Sequence, residues 1–401
     1  MSSPVDRPRL LVVNQYYRPG VEATARVLTE LCEALAEDWD VTVVAGTVAG
    51  TAPSGRKRRN GVEVVRVRST AFPRRRRPLR ALNYVTYLAL AAAAGARAPR
   101  PDVVLAMTDP PVVGVVAAAL ARRIGAPLVV VSQDVFPETA VAVGQLRSRL
   151  ALALAQRLAR APLTRASRVV AIGETMQRRL EAKRVPRERL VVIPNWADGE
   201  IGEPAPRRNE WATAHALADR FVVMHSGNLG YAQDLDTLLR AAALLGDVRV
   251  AIVGQGAREA DLRRLAGELG VDAVFMPYQP ADVLTNALGS ADVHAVGLVR
   301  GLAGLVVPSR LYGVLAAGRP VIVHAEDESE AAMTVREAGC GAVVPPGDPE
   351  RLAGAIAELR AADLEGLGRR AREWALVHAR REQGVAAYRA LLAEVRSGAG
   401  G

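Results

Sequence analysis

Aromatic rings are scarce in this sequence: Phe, Trp and Tyr make 4% of its 401 residues, although hydrophobic residues as a whole make 50%. Its cores must be built from Ala, Val and Leu, which suits helices covering parallel sheets. Cysteine is scarcer still, with Cys32 and Cys340 in opposite halves and no C-x-x-C pair. That argues against a disulfide scaffold or a cysteine zinc site, and fits a reducing cytoplasm. His215, His225, His294, His324 and His378 show no metal-ligand spacing, so no protein-held metal is expected. Met1–Arg9 carries no apolar signal segment, and no leader is expected. The longest apolar run, Ala81–Ala96, is interrupted by Asn83 and Thr86. It also falls short of the about 20 residues that span a bilayer.

Lysine is nearly absent as well: Lys57 and Lys183 stand alone, so arginine carries the formal charge of +10. Such a balance invites a nucleic-acid or anionic-membrane partner. Near-exclusive use of arginine also reads as a general compositional bias, and no aromatic–basic interleaving or recognition module accompanies it. No nucleic-acid partner is expected. One basic run stands apart, Arg74–Arg77 with Arg80, followed by Leu82, Tyr84, Val85, Tyr87 and Leu88. Charges leading into apolar and aromatic residues suit a peripheral contact with anionic lipid. The same pattern fits an exposed loop entering a core helix.

What the chain does have is alternation. Buried-strand runs at 10–13 and 41–45 flank a helical pattern at 21–36, a parallel βαβ unit. Further strands are predicted at 62–67, 103–107, 128–131, 169–172 and 190–193, with helices at 113–124 and 149–165 among them. The Pro-rich, polar segment Glu203–Asn209 then reads as a linker. Beyond it, strands at 221–225, 248–253, 273–276, 293–296, 321–323 and 341–344 alternate with helices, and a long amphipathic stretch closes the chain. The expected division is an N-terminal Rossmann-like domain over 1–200, a second over 210–366, and a C-terminal helical segment over 367–396 packing back on the first. The predicted fold is α/β, two Rossmann-like domains facing across a cleft.

Ligands of such sheets sit at the carboxyl ends of the strands, and several of those loops carry suitable residues. Gly20 ends the loop after the first strand, and lets backbone approach a ligand or simply makes a turn. Ser226, Gly227 and Asn228 follow the strand at 221–225; they fit a backbone cradle for diphosphate, or a tight turn with Asp234 as helix cap. Gly254 and Gly256 form half of a dinucleotide fingerprint. Tyr278, in Pro277–Pro280, either stacks on a base or covers a loop. Most of all, Pro308-Ser309-Arg310-Leu311 opens a short helix stopped by Gly318 and Pro320. A cation at a helix start opposes the dipole, and a phosphate held by Ser309, Arg310, the Leu311 N–H and the helix start would resolve the conflict. Otherwise Arg310 is a solvated side chain.

Taken together, Ser226-Gly227-Asn228, Gly254-Gln255-Gly256, Pro277–Pro280, Pro308–Pro320 and Gly339-Cys340-Gly341 resemble a family-4 retaining glycosyltransferase of the GT-B fold. Within that family, Gln15-Tyr16-Tyr17, Gln133–Thr139 and Ile193-Pro194-Asn195-Trp196 resemble the bacterial O-antigen N-acetyl-fucosamine transferase branch. The resemblance implies an acceptor-binding first domain and a second domain that binds a nucleotide sugar, a UDP-sugar foremost, as substrate and without a cofactor. It further implies hexosyl or N-acetylhexosaminyl transfer to a polyprenyl-linked glycan or a small molecule, on the inner face of the membrane. Where typical members carry two glutamates eight apart, this chain has Leu305 and Gly313; where they carry Arg and Lys, it has Asn228 and Gln233; Gln133 replaces a His. Glu330 is then a candidate carboxylate for ribose hydroxyls, or an acid complementing a helix start. Asp134 and Glu138 are the candidate catalytic carboxylates, Asp134 orienting or deprotonating the acceptor hydroxyl. Two rivals stand beside transfer: a GT-B nucleotide-sugar epimerase, for which no acid–base cluster is visible, and a non-catalytic sugar-nucleotide-binding homologue, favoured by the missing glutamates.

Overall fold

The structure is a computed structural model that describes residues 7–20, 23–47, 53–70, 77–197 and 202–398. It divides into two compact units, residues 1–194 with 382–401 and residues 195–381.

The first unit runs β1 (Arg9–Val13), α1 (Ala23–Leu35), β2 (Asp40–Gly46), β3 (Gly55–Arg59), β4 (Val62–Val67), α2 (Arg77–Ala96), β5 (Val103–Met107), α3 (Val113–Ile124), β6 (Leu128–Ser132), α4 (Glu138–Ala142), α5 (Arg149–Arg165), β7 (Arg168–Ala171), α6 (Glu174–Ala182) and β8 (Leu190–Val192). The sheet order is β3-β4-β2-β1-β5-β6-β7-β8. All pairs are parallel except β3 with β4. Strands β1, β5 and β6 bury almost every residue, as strands covered by helices on both faces must. The antiparallel strand β3 is the exception: all five residues of Gly-Arg-Lys-Arg-Arg are exposed. Lacking any hydrophobic alternation, it leaves no trace in a sequence reading, and its charges keep an edge from pairing with other chains.

The second unit runs α7 (Glu210–Ala214), β9 (Phe221–Ser226), α8 (Leu235–Leu245), β10 (Val248–Val253), α9 (Glu259–Leu269), β11 (Ala273–Met276), α10 (Ala281–Gly289), β12 (Val293–Gly297), α11 (Arg310–Ala316), β13 (Val321–His324), α12 (Glu330–Ala338), β14 (Gly341–Val344), α13 (Pro349–Arg360) and α14 (Leu364–His378). Its order, β11-β10-β9-β12-β13-β14, is the doubly wound 3-2-1-4-5-6 arrangement, parallel throughout. One sheet face packs Val223, Val250, Ile252 and Ile322 against Leu235, Leu238, Leu239, Leu352 and Ile356. The other packs Val222, Met224 and Ala251 against Trp211, Leu217 and Ala287. Each such aliphatic side chain contributes about 1.5–3 kcal/mol on full burial. Where strand order reverses, between β9 and β12, the chain ends diverge and open a crevice at the carboxyl edge.

The last part of the chain forms two helices rather than one stretch. Helix α14 stays with the second unit, where Trp374 stacks on Tyr312 at 6.4 Å. Helix α15 (Arg381–Ser397) falls almost wholly in the first unit, where Arg389 Nε meets Asp38 at 2.8 Å and donates through a second nitrogen to the Ala34 carbonyl at 2.9 Å.

Candidate active site

The β9–β12 crevice is built around Arg310. Its guanidinium is half-buried beneath the loop that follows β9 and donates to the carbonyl of Gly297, the last residue of β12, at 3.2 Å. A Cβ added to Gly227 would lie 3.1 Å from its Cδ, a tight contact that the bare backbone avoids. Its Nε is sealed from solvent without an acceptor, and among the described residues no carboxylate pairs with it. Burial lowers its pKa to about 10, with the nearby Tyr278 phenol opposing, so it remains charged at neutral pH. A cation held in a strand-end crevice without a counter-ion is arranged to receive an anion.

The expected helix-start cradle needs correcting. Helix α11 has only seven residues, and Ser309 sits in helical rather than extended backbone and makes no side-chain cap. The Leu311 N–H donates to Pro308 O at 3.0 Å, and its side chain, at 1% exposure, belongs to the core. The guanidinium therefore turns inward to the strand ends, and it, rather than the helix dipole, dominates the local charge.

The glycine loops also divide differently from expectation. Gly227 (φ 152°) and Gly254 (φ 149°) both occupy backbone that favours glycine. A Cβ on Gly254 would lie 1.8 Å from the Gly227 carbonyl oxygen, and one on Gly256 2.3 Å from that of Leu229. Gly227 N–H donates to Val253 O at 2.8 Å and Leu229 N–H to Gln255 O at 3.0 Å. Residues 254–256 thus support residues 227–229 from behind. Ser226 is half-buried at the end of β9, and Asn228 is exposed at the tip of that loop.

Beside Arg310 lies a group the sequence reading passed over. His324, the last residue of β13, is fully buried, and its ring covers the Cα of Gly297: a Cβ there would lie 2.1 Å from Cε1. Its Nδ1 faces Asp234 Oδ2 at 3.4 Å, while its Nε2 has no partner. Asp234 was expected as a possible helix cap. It adopts left-handed backbone (φ 47°), makes no cap bond, and instead accepts from Thr237 Oγ1 at 2.8 Å and Gly347 N–H at 3.0 Å. Its carboxylate thereby joins α8, β13 and the loop after β14. His225, near the end of β9, is equally enclosed; burial first, then the Arg310 charge, hold its pKa well below the usual histidine range. The available signal was positional: two histidines and a glycine stand at the carboxyl ends of adjacent strands.

Tyr278 is half-buried close enough to Arg310 to influence its charge, and the neighbouring Gln279 side chain accepts from Trp211 Nε1 at 3.0 Å. Glu330 opens α12 behind the Ser329 cap, and its charge acts on the buried Tyr312 phenol, raising that group's pKa after burial.

In the first unit, strand order reverses between β1 and β5, where Gln15 N–H donates to Asp109 O at 2.9 Å. Gly20 lies in this β1 loop, its N–H donating to Tyr17 O at 3.2 Å. Asp134 follows β6, and Thr108, from the β5 loop, donates to its Oδ1 at 2.9 Å while accepting from the Gln133 N–H at 3.0 Å. The hydroxyl thereby fixes the orientation of the Asp134 carboxylate, a role for Thr108 that the sequence reading missed. Glu138 is engaged otherwise: Lys183 Nζ reaches its two oxygens at 2.7 and 2.6 Å and also donates to Phe136 O at 3.0 Å. Residues 74–76 of the basic run lie outside the described residues.

Residues 22–196 match the glycosyl transferase 4-like domain and residues 207–374 match glycosyl transferases group 1. Over 277 residues the chain is 31% identical to the "Probable glycosyltransferase WbjE" of Pseudomonas aeruginosa, covering 68% of this chain and 69% of that protein. The chain is a group 1 glycosyltransferase. Among solved structures, this glycosyltransferase is similar to sucrose-phosphate synthase from Thermosynechococcus elongatus, with TM-score 0.77, 18% identity, and 98% and 100% of the two chains covered. It is likewise similar to HepE from Anabaena in complex with UDP-glucose, with TM-score 0.71, 18% identity, and 97% and 99% covered. At that identity the likeness speaks to the fold, which is GT-B with two Rossmann-like units.

Proposed function

We propose that this glycosyltransferase moves a hexosyl or N-acetylhexosaminyl group, with retention, from a nucleoside-diphosphate sugar to a lipid-linked glycan or small-molecule acceptor. The observation that carries the reading is Arg310: a cation without a carboxylate, set between Gly227 and Gly297 at the strand-order reversal of the second sheet. The HepE complex with UDP-glucose supports a uridine nucleotide as the first donor to test.

Arg310 neutralises the diphosphate as charge grows on it, and does so in a crevice already arranged before reaction. Gly227 admits the phosphates to the backbone, with Ser226 and Asn228 beside it, and Tyr278 contacts the base. Leu305 and Gly313 leave no carboxylate at the positions where family members hold acids, so Glu330 is the ribose ligand in this reading. Asp134, aimed by Thr108, orients the acceptor hydroxyl, whose proton passes to the leaving phosphate on the same face of the sugar. Glu138, paired with Lys183, fixes the loop that carries Asp134.

The acceptor would meet the enzyme at the cytoplasmic membrane face. Leu82 and Val85 of α2 are 43% and 62% exposed, and Leu150 and Leu154 of α5 are 86% and 59% exposed. Neither helix contains an Asp or Glu, and both carry arginine. Apolar side chains among cations alone suit an anionic bilayer surface.

Incubating the protein with a panel of nucleotide sugars and following products by NMR tests the reading. Slow hydrolysis or transfer with the donor's anomeric configuration kept is the expected result. An isomerised sugar would indicate an epimerase, and binding without turnover a non-catalytic homologue.

A further inference from the structure

At the amino ends of β1 and β5, on the edge of the first sheet opposite the Asn14 and Asp109 loops, lies a second concavity. Arg7, Pro8, Arg9, Arg100, Pro101, Asp102 and Arg396 line a cleft of about 340 Å³, within the roughly 300–1,000 Å³ range of small-ligand sites. Four arginines and a single carboxylate are among its lining residues. That carboxylate is already in use, since Asp102 Oδ2 accepts the Arg9 backbone N–H at 2.7 Å. None of the four arginines forms an ion pair among the described residues. Arg7 is tied only to the Ala36 carbonyl at 3.4 Å, and Arg396 lies over the Trp39 ring at 5.8 Å. Concentrating like charges around a concave surface raises the local potential and focuses it on a small anion. Planar guanidinium forks also match phosphate oxygens in pairs.

We propose that this cleft binds a compact phosphate-bearing polyanion, an oligophosphate or the phosphate chain of a nucleotide. The concave shape and the lining favour that over a flat bilayer, because the only apolar residues in it are Pro8 and Pro101. The inference rests on the first unit alone and stands whether or not the donor reading holds.

Titration calorimetry with tripolyphosphate at low ionic strength tests it on four forms of the full chain. These are the wild type, Arg9→Ser/Arg100→Ser/Arg396→Ser, Arg310→Ala, and a control, Arg157→Ser/Arg160→Ser, which removes exposed arginines elsewhere. The expected result is a binding event, separate from any at Arg310, that persists in Arg310→Ala and in the control, and weakens at least about tenfold in the triple variant. Unchanged unfolding midpoints without ligand, and a smaller loss in Arg100→Ser alone, separate lost binding from lost structure. Equal affinity in the triple variant, equal loss in the control, or loss of all binding in Arg310→Ala would overturn the proposal. Vesicles of phosphatidylglycerol form the last arm: cleft-dependent vesicle binding without tripolyphosphate binding would also overturn it, in favour of a lipid headgroup.

Discussion

Asp134 owes its place to a hydroxyl. Thr108 donates to one carboxylate oxygen at 2.9 Å, so the residue is pre-oriented from the adjacent strand end. Positioned proton-transfer groups contribute about 10²–10⁴-fold in rate. Asp134→Ala should lower kcat at least about a hundredfold with donor affinity unchanged, read by steady-state kinetics beside a donor titration. Near-normal turnover would remove Asp134 from the reaction. The same residue scale explains why Glu138 is read differently from the sequence alone: its carboxylate is spoken for by one of the two lysines in the chain.

At the scale of elements, the parallel strands were legible because each is a continuous apolar run bounded by turn residues. Strands β5, β10, β11 and β14 begin and end at the predicted positions. Strand β3 was not legible because it has no apolar alternation and is held by backbone pairing and ion pairs such as Arg56–Glu63, and the break between α14 and α15 was not because the amphipathic pattern continues through it. In the site, charge and glycine content were visible, but which backbone each glycine must clear was not. Gly254 supports Gly227 rather than a ligand, whereas Gly297, unremarked in the sequence, carries His324 across its Cα. Gly297→Ala should therefore force the His324 ring away and cost about 1–3 kcal/mol by overpacking, seen as a lowered urea midpoint together with weakened nucleotide binding. Gly313, by contrast, has only Leu288 Cδ1 at 3.8 Å from an added Cβ, within helix α11. Gly313→Ala should stabilise the second unit by about 0.5–1 kcal/mol; a destabilised variant would contradict that geometry.

For the whole molecule, burial of histidines in the second sheet sets a pH dependence. His294 is fully buried, and burial lowers its pKa to about 4, against about 6.5 in an unfolded chain. Between those values the unfolded chain binds a proton that the native protein does not, so stability falls as pH drops through that window. His225 acts in the same direction. From pH 7.5 to about 5.5, His294 alone should account for about 1 kcal/mol of lost stability. Urea unfolding at the two pH values should show that loss in the wild type and less of it in His294→Gln. An identical pH response in the variant would mean that His294 is not the group responsible.

The central claim is that Arg310 holds the diphosphate of the donor, and the most direct measurement is calorimetric titration of uridine, guanosine and thymidine diphosphates into the wild type and Arg310→Ala. The account predicts that at least one nucleotide binds the wild type and that its affinity falls at least tenfold in the variant, as loss of a charge-assisted contact worth about 1.5–3 kcal/mol requires, with the unfolding midpoint retained. Equal affinity in the two proteins would contradict it.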